Sequence, residues 1–147
     1  MRWVLKPTNN QLRQWKLELD ELSAELKYNE QVNSFRLTAA DKRLFFIERV
    51  GFLQSRYLVK TEYSIDAGEL SPGKNRHSGL VSTENKKFHY QLQDDVLLLF
   101  SKTERFTVAI EADDINTITQ GELCALVFST VRVISKLNTR APKPHLV

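Results

Sequence analysis

Hydrophobic and polar positions follow two different rhythms along this chain. Up to about residue 115 apolar residues recur mostly at every second position, in short runs broken by polar or charged pairs. Beyond Gly121 they fall at nearly every position. Trp3-Val4-Leu5 predicts a first strand, closed by Pro7 and Asn9-Asn10. Trp15, Leu17 and Leu19 alternate with Lys16, Glu18 and Asp20. Leu22, Ala24, Leu26 and Tyr28 alternate with Ser23, Glu25 and Lys27, the period of a half-buried strand. A helix over 11–27 competes, because Leu12, Trp15, Leu19, Leu22 and Leu26 also stand three and four apart in a Leu-, Glu- and Lys-rich segment. The β character of the downstream segments favours two strands joined at Asp20-Glu21.

Ser34–Leu37, Arg43–Arg49, Phe52–Val59 and Lys60–Ile65 read as further strands, rich in aromatic and β-branched residues. Asp66-Ala67-Gly68 reads as a tight turn before Glu69-Leu70, and Ser71–His77 as the one long turn-rich loop. Gly79–Ser82 is a short strand. In Lys87–Leu92, Phe88, Tyr90 and Leu92 share one face and Lys87, His89 and Gln91 the other. Asp94-Asp95 predicts a hairpin turn. Val96–Phe100 is apolar throughout and too short for a helix, so it predicts a strand covered on both faces. Phe106–Glu111 comes after the charged turn 102–105.

The last rhythm organises the rest. Leu123, Cys124, Ala125, Leu126, Val127, Phe128, Val131, Val133, Ile134 and Leu137 fall on every side of a helix over about 121–137. Such a helix is buried on all sides, in protein or in lipid. A lipid span needs about 18–20 mostly uncharged residues, and Arg132 ends the uncharged run short of that. The helix is therefore enclosed by protein. Some ten to twelve short strands are available to enclose it. About 16 helical residues run about 24 Å, and a strand of six or seven residues about 20–23 Å. The sequence thus predicts a mainly β fold: an antiparallel barrel of about twelve strands around a hydrophobic C-terminal helix. Closed barrels of that size hold a central helix, whereas eight strands leave room only for side chains. A seven-stranded PH-like fold would want an amphipathic capping helix, and a lipocalin-like cavity would be filled by this one. Residues 1–137 form one domain on this reading, and 138–147, with two prolines and little to bury, a mobile tail.

Composition changes this picture little. The chain has 147 residues, 41% hydrophobic and 27% charged, which suits one globular domain. A net charge of +3 permits an anionic partner without requiring one. The single cysteine, Cys124, excludes an internal disulfide and a multi-cysteine metal site. With no secretory h-region after Met1, the expectation is a cytoplasmic protein with no transmembrane span, at most peripheral to a membrane, and a monomer or weak oligomer.

One segment carries a resemblance. Arg43-Leu-Phe-Phe-Ile-Glu-Arg-Val-Gly-Phe-Leu53, followed by Thr61-Glu-Tyr-Ser-Ile-Asp-Ala-Gly-Glu-Leu70, resembles the Tubby C-terminal-like superfamily, which includes Tubby, phospholipid scramblases and LURP-one-related proteins. The motif is a strand pattern ending in Glu-Tyr-x-x-x-x-Gly-x-Leu. The resemblance implies a compact member with a twelve-stranded barrel around a C-terminal helix, and a lipid-related role such as phosphoinositide binding. It carries over no ligand residue.

Candidate chemistry is sparse. Lys74, Arg76 and His77, with Lys86 and Lys87 nearby in sequence, form a candidate anion- or lipid-binding set; the plainer reading is a solvated loop and a charged turn. Arg132 and Lys136, four apart on the helix, either reach solvent or a rim carboxylate where the helix emerges, or make an anion site at the barrel mouth. His77, His89 and His145 do not pair at metal-ligand spacing. Asp94-Asp95 and Asp113-Asp114 read as solvated turn acids. Among five glycines there is no phosphate loop, dinucleotide fingerprint or nucleophile elbow. Basic residues do not interleave with exposed aromatics as in single-strand nucleic-acid binders. The sequence thus predicts a non-enzymatic binding module without cofactor, metal or nucleic acid. An anionic membrane lipid is the first partner to consider; a protein-interaction or scaffold domain is the alternative.

Overall fold

Period-two alternation is realised along most of the wall. In a computed structural model of the chain, Lys87–Gln93 is alternately exposed and buried along its whole length. The structure describes residues 1–6, 12–19, 22–38, 43–51, 56–75 and 77–140, with side chains except at Leu22 and 136–140. The strands are β1 (Arg2–Lys6), β2 (Leu12–Leu19), β3 (Leu22–Asn29), β4 (Ser34–Thr38), β5 (Arg43–Val50), β6 (Arg56–Thr61), β7 (Asp66–Pro72), β8 (Ser78–Thr83), β9 (Lys87–Gln93), β10 (Val96–Phe100) and β11 (Arg105–Glu111). A 3-10 turn at Ile115–Thr117 leads to α1 (Gln120–Arg140).

Each strand pairs with its sequence neighbour, and β1 closes on β11, giving a closed barrel of eleven strands. The closing seam is parallel, with Arg2 opposite Ala109 and Trp3 opposite Ile110. Chain direction alternates from strand to strand, so an odd number of strands forces the first and last to run the same way. Eleven strands and one parallel seam are therefore a single departure from the expected antiparallel twelve. Segment 11–27 resolves as two strands: β2 and β3 pair in register from Leu12↔Asn29 to Leu19↔Leu22. Burial on the barrel side of Trp15, Leu17, Ala24 and Leu26 outweighs helix propensity here.

Two local readings change. Lys60–Ile65 is not a strand of its own, because Lys60-Thr61 finish β6 and Glu62–Ile65 turn the chain. Thr61 N–H donates to the Ile65 carbonyl at 2.9 Å, Thr61 Oγ1 accepts from the Tyr63 and Ile65 amides at 3.3 Å, and Ser64 takes a φ of 62°. Asp66-Ala67-Gly68 is thus strand, not turn, with a bulge in the register opposite Val59/Lys60. Phe52–Ser55 of the expected strand 52–59 lie outside the described residues.

The helix lies inside the barrel. Glu122 through Val131 are ten consecutive buried residues covering every helix face, and among the described residues it is the barrel wall that covers them. They form one core with Trp3, Trp15, Phe35, Phe45, Leu97 and Leu99 of the strands. The Phe128 ring meets Phe45 edge-on at 5.2 Å and Phe35 at 5.8 Å. Gly68 makes room for it, since a Cβ there would stand 2.8 Å from Phe128 Cε2 and 2.9 Å from the Ser82 carbonyl oxygen. At 21 residues the helix is about 32 Å long, more than the wall strands of five to eight residues. It enters at a lower mouth beside the β7–β8 and β9–β10 turns and leaves at an upper mouth beside the β6–β7, β8–β9 and β10–β11 turns. It begins at Gln120 and continues to Arg140, past the 121–137 read from the sequence; residues 141–147 lie outside the described residues.

Candidate functional site: the two mouths of the barrel

At the lower mouth a hydrogen-bonded cluster ties the helix to the wall. Thr119 caps the helix, its Oγ1 accepting from the Glu122 amide at 3.1 Å. Glu122 is 1% exposed, and its Oε2 accepts from Arg13 Nε and from Trp15 Nε1, both at 2.8 Å. Arg13 also donates to Thr117 Oγ1 at 3.2 Å, and Tyr57 donates to Gln120 Oε1 at 2.9 Å. Sequence reasoning passed over this cluster. Its signal was the spacing Thr119-Gln-Gly-Glu122, a helix-start signature. Here the carboxylate turns away from the cap toward the wall and locks β2 to the helix. Higher in the barrel, Trp3 Nε1 donates to Thr130 Oγ1 at 2.9 Å, which in turn donates to the Leu126 carbonyl at 2.7 Å.

Buried polar groups inside the barrel keep their protons. Burial pushes the Cys124 thiol up to about 12 and the Tyr28 phenol up to about 12, and raises the Tyr90 phenol beside Cys124 as well. A thiol held there is no nucleophile at neutral pH. His89 stacks on Phe100 with ring centroids 5.2 Å apart, on the outer wall. Asp94 and Asp95 form the β9–β10 turn, and Asp114 accepts from the Asn116 amide at 2.9 Å to cap the 3-10 turn. Among the described residues no group of three or more His, Cys, Asp and Glu side chains is arranged to hold a metal ion. None of the helices is long and apolar enough there to cross a membrane.

The upper mouth is open. A groove of about 1000 Å3 lies between the emerging helix and the β6–β7 and β8–β9 turns. Phe128 and Gly68 lie at its base, and Arg132, Arg43 and Lys86 line it together with Asp66, Glu69 and Glu84. The Arg132 guanidinium stands over the Phe45 ring, 5.0 Å from its centroid. Lys86 Nζ is 3.5 Å from Glu104 Oε1. Beside the groove the β6–β7 turn projects Tyr63, 74% exposed, and Ile65, 61% exposed.

The expected basic set is divided by this geometry. Lys86 lines the groove, and Lys87 opens β9 on the outer wall next to it. Lys74 sits in the β7–β8 turn at the lower mouth, the length of β8 away, about 20 Å. Arg76 lies outside the described residues, as does the Lys136 side chain. Arg132 does stand at the barrel mouth, joined there by Arg43. No sequence pattern singles Arg43 out: it sits at a strand start, 89 residues before Arg132 in the chain. Compared with known proteins, the chain matches no family model, no curated protein and no solved structure.

Proposed function

We propose that this protein is a non-enzymatic binding module whose upper-mouth groove receives an anionic headgroup at a membrane surface. The observation that carries the reading is the groove itself. It is a half-open concavity in which one cation from the helix, one from β5 and one from the β8–β9 turn face a common space above an aromatic floor. Guanidinium groups bind phosphate and carboxylate through paired N–H donors, and Arg132 is held in place by its stack on Phe45. Asp66, Glu69 and Glu84 also line the groove, so an anion gains only where it engages the cations directly. The resemblance to Tubby C-terminal-like proteins points the same way, since a barrel around a helix is the fold it implies and lipid binding the role.

Co-sedimentation with vesicles tests this. Binding is expected to phosphatidylcholine vesicles doped with phosphatidylserine or a phosphoinositide, to weaken as salt rises, and to be absent with phosphatidylcholine alone. Arg43→Glu with Lys86→Glu should abolish it, and Lys74→Glu at the far mouth should leave it unchanged. A soluble inositol phosphate that binds as tightly as the vesicles would assign the groove to a free phosphate ligand instead of a surface. Binding to none of these would overturn the reading and favour a protein partner.

A further inference from the structure

Two observations at the upper mouth bear on how the molecule would meet a membrane, and both rest on the anionic-surface reading above. The first is the β6–β7 turn. Tyr63 is 74% exposed and Ile65 61% exposed, two positions apart at the tip of one hairpin and beside the groove. The tip is built to hold that display: the Thr61 hydroxyl accepts from the Tyr63 and Ile65 amides, and Ser64 in the left-handed region closes the turn. Backbone donors that would resist leaving water are thereby already satisfied within the turn.

The second is the distribution of charge between the two ends of the barrel. Among the described residues in turns and at strand ends, the upper mouth carries Arg43, Lys86, Lys87, Lys102 and Arg105 against Glu62, Asp66, Glu84 and Glu104, while Arg2 is paired with both Glu18 and Glu111 at the seam. The helix adds Arg132 to the same end. The lower mouth carries Lys6, Arg56 and Lys74 against Glu30, Asp94, Asp95, Asp113 and Asp114. Among these residues positive charge predominates at the end that bears the exposed tyrosine and isoleucine, and an anionic surface attracts such an end.

We infer that the β6–β7 turn is a membrane-inserting tip, with Tyr63 and Ile65 entering the headgroup–acyl boundary of an anionic bilayer while the groove behind them holds a headgroup. Tyrosine suits that depth because its ring is apolar and its hydroxyl stays in the wet layer. Insertion along the barrel axis leaves the lower mouth facing away from the bilayer.

The buried state of Cys124 makes the test simple, since Tyr63→Cys introduces the one accessible thiol. Labelled there with an environment-sensitive fluorophore, the protein should show a blue shift and a rise in intensity on adding phosphatidylcholine–phosphatidylserine vesicles. A label at Val32→Cys, in the exposed β3–β4 turn of the lower mouth, should stay in water. In unlabelled protein, Tyr63→Ser with Ile65→Ser should weaken vesicle partitioning roughly tenfold or more, without changing the salt dependence set by the cations. Vesicle binding that persists with the Tyr63 label in water, or at full strength in the double variant, would overturn the insertion and leave the headgroup reading standing. A lower-mouth label that responds instead would reverse the orientation. No binding of the wild-type chain to any vesicle would remove both.

Discussion

Replacing Phe128 and Gly68, singly and together, tests whether the helix is threaded through the barrel in the register described. Phe128 is fully buried and meets Phe35 and Phe45 edge-on. Phe128→Ala removes a core aromatic, which costs about 3–5 kcal/mol, and the two ring contacts, each about 0.5–1.5 kcal/mol, fall within that loss. The wall around it is hydrogen-bonded at every seam, so it cannot collapse into the space, and the upper end of the range is expected. Gly68→Ala overpacks the same spot from the other side. Its methyl would stand 2.8 Å from the ring and 2.9 Å from the Ser82 carbonyl oxygen, a loss of about 1–3 kcal/mol. In the Phe128→Ala background the ring is gone and only the Ser82 contact remains. The double variant should therefore be more stable than the sum of the singles predicts, by about 1–2 kcal/mol. Urea unfolding followed by circular dichroism, with slopes compared across the four proteins, measures this directly. Additivity within about 0.5 kcal/mol would mean that Phe128 does not lie over Gly68, and the threading register would be wrong.

Other consequences are open to equally direct measurement. Glu122→Leu leaves the Trp15 indole N–H and the partly buried Arg13 without their acceptor, and a loss of about 3 kcal/mol is expected in urea unfolding; a neutral result would mean the carboxylate is not the lock between β2 and the helix. Thr119→Ala, at the cap, should lower stability by about 1 kcal/mol, read as a drop of about 2–4 °C in Tm. Cys124 and Tyr28 hold their protons to about pH 12 in the folded state, above their ordinary values of about 8.5 and about 10. The stability from those retained protons is complete below about pH 8.5 and is lost as pH rises toward 12, at up to about 1.4 kcal/mol per pH unit for each group. Cys124→Ala should flatten that alkaline decline, and native protein should resist a thiol reagent at pH 8; reaction at the unfolded rate would contradict the burial. Ending the chain at Gln120 empties the barrel of Leu123–Ile134 and should give an insoluble or molten product that binds a hydrophobic dye, whereas sharp, dispersed NMR signals from that product would refute the role of the helix as the core.

The proposed site was less legible in the sequence than the fold. Lys74 and Lys86 are twelve residues apart, and nearness in sequence suggested one patch. A single intervening strand, β8, sends them to opposite mouths, because a hairpin returns the chain to the far end of the wall. Arg132 was visible as a charge on an apolar helix. Arg43 and the Tyr63–Ile65 tip acquired meaning only when the β4–β5, β6–β7 and β8–β9 connections came to the same rim. The Glu-Tyr-x-x-x-x-Gly-x-Leu segment divides similarly: Leu70 is core, Gly68 makes room for Phe128, and Tyr63 is largely in water.

By itself the sequence determined the character of each piece. Period-two alternation specified the wall strands, as in β9, because a strand between core and solvent must alternate. The run from Leu123 to Ile134 specified a helix enclosed by protein, because a helix apolar on every face can be stable only where nothing of it meets water. These are local constraints, written in neighbouring residues. Tertiary structure alone decided the count of eleven, the parallel seam of β1 with β11, the turning of Glu122 onto Arg13 and Trp15, and the gathering of Arg43, Lys86 and Arg132 at one mouth. Those outcomes join residues up to 109 positions apart. They arise from closure of the barrel and from the length of helix that fits inside it, quantities that no local pattern encodes.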